Sequence, residues 1–515
     1  MAPNRLHVVY WVVQHNQTRR RPIVHRKTHR YANVPAALLL AVALSSCLLP
    51  AAPAQAEDTL PALGDAGSGI VSPEGERRLG AAWLRALRAG TSLYYDPLVA
   101  DYLEHLAWRL ASHSDLAEPR LTLVMLNSNE INAFAVPGGV MGVNAGLLLN
   151  AEREDEVASV LAHELAHLSQ RHFARGLDQQ RQQQPLTLTA LLASILVAAT
   201  VGGDAAAAAM IGTQAGLMQA QLAYSRENER EADRVGMQTL ARAGFDPAAM
   251  PAFFEKLQRT SPVDRERYPE FLLTHPVADT RISDSRNRAR QLPAPAHADR
   301  DDIDFRLARI RLQVAFSRDA AAATVAFADA LKQAPARERD VLRYGLALAQ
   351  LRAGRHDEAL VTIAPLRRND PERIVWRVGE ADILLAAGKV REAADSMIDG
   401  LALAPDNFPL AMTAAQALLR DNRAMRAVAL LERQAVLRRN DPNVWQLLAR
   451  ARGATGDTVG VHAARAEYLF LRNQVDPARE QLELGIAAAG EDFARAAPLR
   501  NRMRDIEQTR DDFRP

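Results

Sequence analysis

The sequence predicts a mainly α-helical protein in two folded parts: a helix-dominated domain with a small β-sheet, then an α-solenoid of short repeats. Three observations lead there. Aromatic residues are only 5% of a 515-residue chain that is 48% hydrophobic, and Ala and Leu are abundant, a balance that leans toward packed helices. A β-like run at Leu121 to Leu126 and a Gly-rich turn at Pro137-Gly138-Gly139 interrupt helical patterning in the first part. In the second part Gly354, Gly388, Asn422 and Gly456 recur at intervals of 34 residues.

The N-terminus reads as an address. A basic region ending near Arg30 precedes the apolar run Val34 to Leu44, and the small-residue sequence Ala54-Gln55-Ala56 follows. That order is the one a secretory signal peptide needs, so residues 1–56 are expected to be removed and the mature chain to begin at Glu57. A membrane anchor is the competing reading, against which Pro35, Pro50 and Pro53 break a short apolar core. Leu44-Ser45-Ser46-Cys47 also resembles a lipobox, which would make the chain lipid-anchored through Cys47. Because Cys47 is the single cysteine, the folded part holds neither a disulfide nor a cysteine-based metal site. Any metal must be bound by histidine and carboxylate.

Formal net charge is +2, and much of the basic character lies in Arg5, Arg19, Arg20, Arg21, Arg26, Lys27 and Arg30, which leaves the remainder mildly acidic. This is not the footprint that phosphate-backbone binding requires, so no nucleic-acid partner is expected.

From Glu57 to about Arg290 the text reads as one mixed domain. Gln291-Leu292-Pro293-Ala294-Pro295-Ala296 opens a linker over 291–304. Repeats then run over 305–500, with a tail at 501–515. Thirty-four residues is the tetratricopeptide period: Gly or Asn ends the first helix in a left-handed conformation, and Ala359, Ala393 and Ala427 let the second helix pack closely. Repeats before Gly354 and after about Leu471 look degenerate, as terminal repeats do.

The strongest chemical signal is Ala162-His163-Glu164-Leu165-Ala166-His167, in a helical context free of Pro and Gly. On a helix, residues four apart share a face, so His163 and His167 can both reach one zinc ion, with Glu164 placed as general base for the attacking water. A hydrolytic zinc site wants a third protein ligand. Glu229 and Asp233 offer one at i, i+4 spacing, but Glu227 and Glu231 have the same spacing, and spacing alone does not choose.

These motifs resemble the gluzincin metallopeptidases that include the CAAX prenyl proteases and HtpX, in which His-Glu-x-x-His is followed by Glu-x-x-x-Asp. The resemblance implies a zincin-type metallopeptidase domain with one Zn2+ per chain, Glu229 as metal ligand and Asp233 as its supporting carboxylate. It further implies that Asn132, Ala133, Phe134 and Ala135 form an edge strand that binds an extended peptide by strand addition. In Leu273-Thr274-His275-Pro276 and nearby Arg281, it implies that His275 fills the fourth metal position at rest and that Arg281 stabilises the oxyanion.

With a signal peptide before it and tetratricopeptide repeats after it, the chain resembles a periplasmic branch of these enzymes. That implies polypeptide substrates, with outer-membrane proteins and their assembly machinery as clients of the repeats, and protease and chaperone roles together. A rival expectation is a repeat-based chaperone or adaptor with a mostly closed metal site. The apolar stretch 186–201 is slightly short for a membrane span and is expected to form a hairpin over the active site or a peripheral membrane contact; a third reading makes it membrane-embedded.

Overall fold

The computed structural model describes residues 72–176, 226–259, 270–293 and 302–511. The expectations for residues 1–56, Cys47, the stretch 186–201, most of the linker and the last four residues of the tail lie outside the described residues.

Helix α1 (Pro73–Gly90) begins where Ser72 Oγ accepts from the Gly75 N–H, with Pro at its first position and Glu74 and Glu76 in its first turn. In α2 (Pro97–Ala111) the Asp96 carboxylate accepts from Leu98 and Val99 N–H. Strands β1 (Thr122–Leu126), β2 (Ala133–Val136) and β3 (Val140–Asn144) form a sheet in the order β1-β3-β2, β1 parallel and β2 antiparallel to β3. The β2–β3 hairpin turns through Gly138 and Gly139 at φ 83° and 78°. A Cβ there would lie 2.6 Å from the Glu76 carbonyl oxygen and 2.3 Å from that of Arg120, so only glycine fits.

Next come α3 (Ala145–Asn150) and α4 (Glu154–Ser169), the helix that carries His163, Glu164 and His167. Every residue of α4 from Val157 to His167 is buried, so this helix is wrapped on all sides rather than amphipathic. Helix α5 (Arg226–Arg242) packs against it, followed by α6 (Ala249–Arg259), the short α7 (Glu270–Thr274) and α8 (Asp279–Ala289). At the α4–α5 contact Gly236 lies against the backbone, a Cβ there being 3.0 Å from Ala162 O and 3.1 Å from His163 N. Its missing side chain is what lets the two helices approach.

From Ile303 to Asp511 the described chain is twelve helices packed in sequence. The periodic markers adopt the left-handed conformation as the period implies, with φ of 75° at Gly354, 80° at Gly388, 58° at Asn422 and 76° at Gly456. Gly490, one further period on, has φ 53°, so the helical pairing continues past the stretch whose sequence markers fade. Ala359, Ala393 and Ala427 are fully buried between helices.

The two parts share a core. In helix Ile303–Phe316, Phe305, Ala308 and Leu312 join the core around α4, while Leu307, Ile310 and Val314 face the repeats. Leu98 of α2 enters the repeat core near Phe408 and Leu410. Arg311 Nε donates to Asp96 Oδ2 at 2.7 Å, and Arg438 Nη1 to Glu104 Oε1 at 2.7 Å while its guanidinium lies 3.9 Å over the Phe408 ring. No helix among the described residues is long and apolar enough to cross a membrane.

Candidate metal centre

His163 and His167, one turn apart on α4, present their Nε2 atoms to each other at 3.0 Å. Helix α5 brings Glu229 against them, Oε1 at 3.4 Å from His167 Nε2 and Oε2 at 3.5 Å from His163 Nε2. His275, just past α7, completes the group with Nδ1 at 3.3 Å from His163 Nε2 and 3.0 Å from Glu229 Oε1. Each of the four offers one donor atom, all within 4.8 Å of one another, and none is more than 2% exposed.

This donor set fits a small divalent cation. Four ligand atoms arranged tetrahedrally about 2.0–2.1 Å from an ion stand about 3.3–3.4 Å apart; the contacts above, which use both Glu229 oxygens, run from 3.0 to 3.5 Å, and the four-atom set as a whole stays within 4.8 Å. Three imidazoles whose ring nitrogens face one another in a buried space have too few protons to share among them. Glu229 Oε2 and Glu164 Oε1 are also buried without an aligned hydrogen bond, although Arg281 Nη1 stands 2.8 Å from the first and His275 Nε2 3.3 Å from the second.

The electrostatics show how tightly these groups compete for protons. Burial works against charging His163, yet Asp233 and Glu229 outweigh it and hold the imidazole at about 9. Burial, with His163 alongside, pushes His167 well below its ordinary value. Glu229 lies well below the carboxylate range, because the neighbouring His275 and His163 outweigh its burial. Burial raises Glu164 above the usual carboxylate range, against the pull of His275 and His163, and its carboxylate accepts from the Ala135 backbone N–H. Its Oε1 lies 3.3 Å from His275 Nε2.

Burial separates the two pairs that spacing leaves tied. Glu229 and Asp233 turn inward at 2% and 4% exposure, whereas Glu227 is exposed. Asp233 Oδ1 is 3.1 Å from His163 Nδ1, so Asp233 supports the ring on the side away from the cluster. Arg281 is not left facing open space for an oxyanion. Its Nε and Nη2 donate to the two Asp233 oxygens at 2.8 Å each, and Nη1 donates to Pro276 O and lies 2.8 Å from Glu229 Oε2. Every nitrogen of the guanidinium is engaged within the protein.

Strand β2 lies at an edge of the described sheet, with all four of its residues buried. Asn144 N–H donates to Asn132 O at 3.0 Å, which by the antiparallel alternation turns the backbone groups of Ala133 and Ala135 away from β3 and those of Phe134 toward it. The Phe134 ring packs edge-on against Trp83, with centroids 5.3 Å apart.

One group escaped the sequence reading. His172 Nδ1 lies 2.8 Å from His167 Nδ1, and its Nε2 is 3.1 Å from Glu231 Oε2, which also accepts from Arg175. The chain reaches this place because Arg171 adopts φ 50° just after α4 and turns His172 back under the helix. The signal available was a third histidine five residues beyond His167 and an otherwise unused Glu231, but the turn between them has no sequence mark.

Two histidines and a glutamate on one helix, joined by a carboxylate from a second, define a metallopeptidase of the His-Glu-x-x-His class. Residues 97–289 match the model of Peptidase family M48, and residues 384–451 that of a Tetratricopeptide repeat. The chain belongs to peptidase family M48 and is a metalloprotease, a family that implies a divalent metal. It is 34% identical over 489 residues to the Beta-barrel assembly-enhancing protease of Escherichia coli (strain K12), covering 94% of this chain and 98% of that one. To the protein of that name from Yersinia pestis it is 35% identical over 427 residues, 82% of this chain and 86% of the other. Mitochondrial metalloendopeptidase OMA1 of Arabidopsis thaliana is 31% identical over 159 residues, 31% of this chain and 30% of its own.

Proposed function

We propose that this chain is a zinc endopeptidase of the periplasm that acts in the assembly and quality control of outer-membrane β-barrel proteins, with a chaperone role carried by its repeats. The observation that carries the chemistry is the buried cluster of His163, His167, Glu229 and His275 beside Glu164. Imidazole and carboxylate donors in a compact four-atom set favour zinc among the common divalent ions. The client class is supported by near-full-length likeness to proteins named for β-barrel assembly. The location is supported by the signal-like pattern ending at Ala54-Gln55-Ala56.

In this reading His163, His167 and Glu229 hold the metal, which when bound supplies Lewis acidity and a water of lowered pKa. Glu164 takes the water's proton, its raised pKa suiting it to pass that proton on to the leaving amine. Ala133 and Ala135 offer backbone groups to an extended peptide, so the same strand orients substrate and base. Asp233 fixes the His163 ring. Arg281 acts through Asp233 and Glu229 as a positioning residue, in place of the oxyanion role that resemblance implied. Residues 57–290 serve as the peptidase unit and 305–500 as the docking unit.

The test is metal content and proteolysis of the purified chain beside Glu164→Gln, His163→Ala and Glu229→Ala. One zinc per chain, retained in Glu164→Gln with cleavage reduced at least ~100-fold and lost in the other two, is expected. Unchanged proteolysis by Glu164→Gln would sink the reading.

The place of His275 favours a second reading, a chaperone with a closed metal site, because it fills the group with a fourth protein donor. The two readings part at His275→Ala: a gated protease gains cleavage when this donor is removed, and a closed-site chaperone shows none with or without it.

A further inference from the structure

Helix α1 carries two arginines one turn apart that point into the molecule, Arg85 at 9% and Arg88 at 5% exposure. Other deeply placed arginines have carboxylate partners, as Arg281 has Asp233 and Arg311 has Asp96. This pair does not. Nε of Arg85 and Nε of Arg88 are both buried without an acceptor. Arg88 gives one hydrogen bond, from Nη2 to the Asn440 carbonyl at 2.7 Å, and the Arg85 guanidinium stands 4.7 Å from the centroid of the Phe470 ring.

The neighbours add positive charge. Arg502 stands 4.8 Å from the same Phe470 centroid, its guanidinium engaged by both Glu467 oxygens at 2.6 and 2.8 Å. Arg472 repels Arg88, and Asp441 is the one carboxylate that attracts it, while Arg85 feels only Arg502 and Arg88. Burial, helped by these like charges, lowers Arg85 to about 10. Burial also lowers Arg88 to about 10, against the attraction of Asp441. Both therefore stay cationic at neutral pH. A buried guanidinium without a counter-charge is among the most unfavourable arrangements a fold can hold, and native structures relieve it by pairing.

We propose that Arg85 and Arg88 form a binding site for a small tetrahedral oxyanion of the phosphate class, and that this anion fastens α1 to the end of the repeat array. Guanidinium forks match phosphate oxygens in pairs. The burial of both side chains restricts the site to a compact ion. Phe470 belongs to helix Thr458–Leu471 and Arg502 to helix Phe493–Asp511, so the anion sits where the first described helix of the peptidase half meets the last helices of the repeats.

The test uses the full chain with inorganic phosphate against chloride at equal ionic strength, read by calorimetric titration and by the thermal midpoint. One saturable site and a midpoint rise of roughly 2 °C at tenfold excess over Kd are expected. In R85M/R88M the saturable part disappears, and in chloride alone the variant's midpoint equals or exceeds that of the parent, since the uncompensated charges are gone. Phosphate also favours any compact state by exclusion from its surface, an effect that does not saturate. An equal rise in parent and double variant, or no titratable binding up to ~10 mM, would overturn the proposal. R85K guards against a double variant that fails to fold: it keeps the charge but loses the fork and is expected to weaken phosphate at least ~10-fold, whereas unchanged affinity counts against the site.

Discussion

Arg281 holds Asp233 by both carboxylate oxygens, with 2.8 Å hydrogen bonds from Nε and Nη2, and Asp233 in turn lies 3.1 Å from Nδ1 of His163. None of the three is more than 4% exposed, so the ring's orientation depends on a buried charge that itself depends on Arg281. Removing Arg281 leaves the charges of Asp233 and Glu229 buried without their cation. Arg281→Met is therefore expected to lose about 3–5 kcal/mol of stability and about 10- to 100-fold in metal affinity. Arg281→Lys should not rescue either, because a single ammonium cannot bridge both oxygens. Urea unfolding and competitive chelator titration check the pair; a Lys variant with parental metal affinity would refute the bridging role.

His167 has an equivalent support in His172, whose other nitrogen meets Glu231. Replacing His172 by Ala removes the partner that fixes the His167 ring while leaving the four donor atoms in place. Metal affinity is expected to fall roughly 10-fold, with cleavage restored at saturating metal. Glu231→Gln should produce a smaller loss in the same direction, since Glu231 is partly exposed and acts only through His172.

Chelation tests the donor set as a whole. With no ion, three imidazoles and a carboxylate must share protons in a buried space, and binding energy that favours the folded state is lost. Treatment with a chelator is expected to lower the thermal midpoint by several degrees and to speed amide exchange in α5 and α7, which supply Glu229 and lead into His275. One equivalent of zinc should restore both. A midpoint indifferent to chelator would mean that the four residues are held together by protons alone.

What the sequence reveals of this molecule follows the range of each physical rule. His163, Glu164 and His167 are legible because helical spacing alone places them, and the repeats because each turn demands a left-handed residue at a fixed interval. Glu229 and Asp233 lie beyond that range: spacing leaves them tied with Glu227 and Glu231, and only burial within the fold separates the pairs. His275 and Arg281 reach the site through tertiary packing that no local pattern encodes. The engagement of every Arg281 nitrogen is likewise a property of the folded site. His172 was missed because a non-glycine residue, Arg171, makes the turn that returns it.

Gly236 separates helix propensity from packing. In an unconstrained helix, Ala in place of Gly stabilises by about 1 kcal/mol, but here its Cβ would lie 3.0 Å from Ala162 O and 3.1 Å from His163 N, both backbone atoms that cannot swing aside. Forcing α5 away from α4 is expected to cost about 1–3 kcal/mol, so the sign reverses. Glu229 and Asp233 ride on the same helix, and metal affinity should fall along with stability in Gly236→Ala. A stabilised variant would show that α5 can shift without disturbing the site.

The coupling of the two halves rests on Arg311, which lies 215 residues from its partner Asp96. Asp96 already accepts the first N–H groups of α2 through Oδ1, and Arg311 takes the other oxygen at 2.7 Å while Nη1 donates to the Tyr344 hydroxyl. Asp382, 3.5 Å from Arg311 Nη2, is held up at about 6 by its burial, against the pull of Arg311. Arg311→Met therefore leaves two buried or half-buried carboxylates without their cation and weakens the start of α2 together with the first repeats. A loss of about 3–5 kcal/mol is expected, read as earlier unfolding in urea and as faster proteolytic digestion of the folded chain. Asp96→Asn keeps an acceptor for the α2 cap and loses only the charge, so it should cost less than Arg311→Met. Equal losses would place the whole effect in the Asp96–Arg311 charge pair, with nothing added by leaving the carboxylates without their cation.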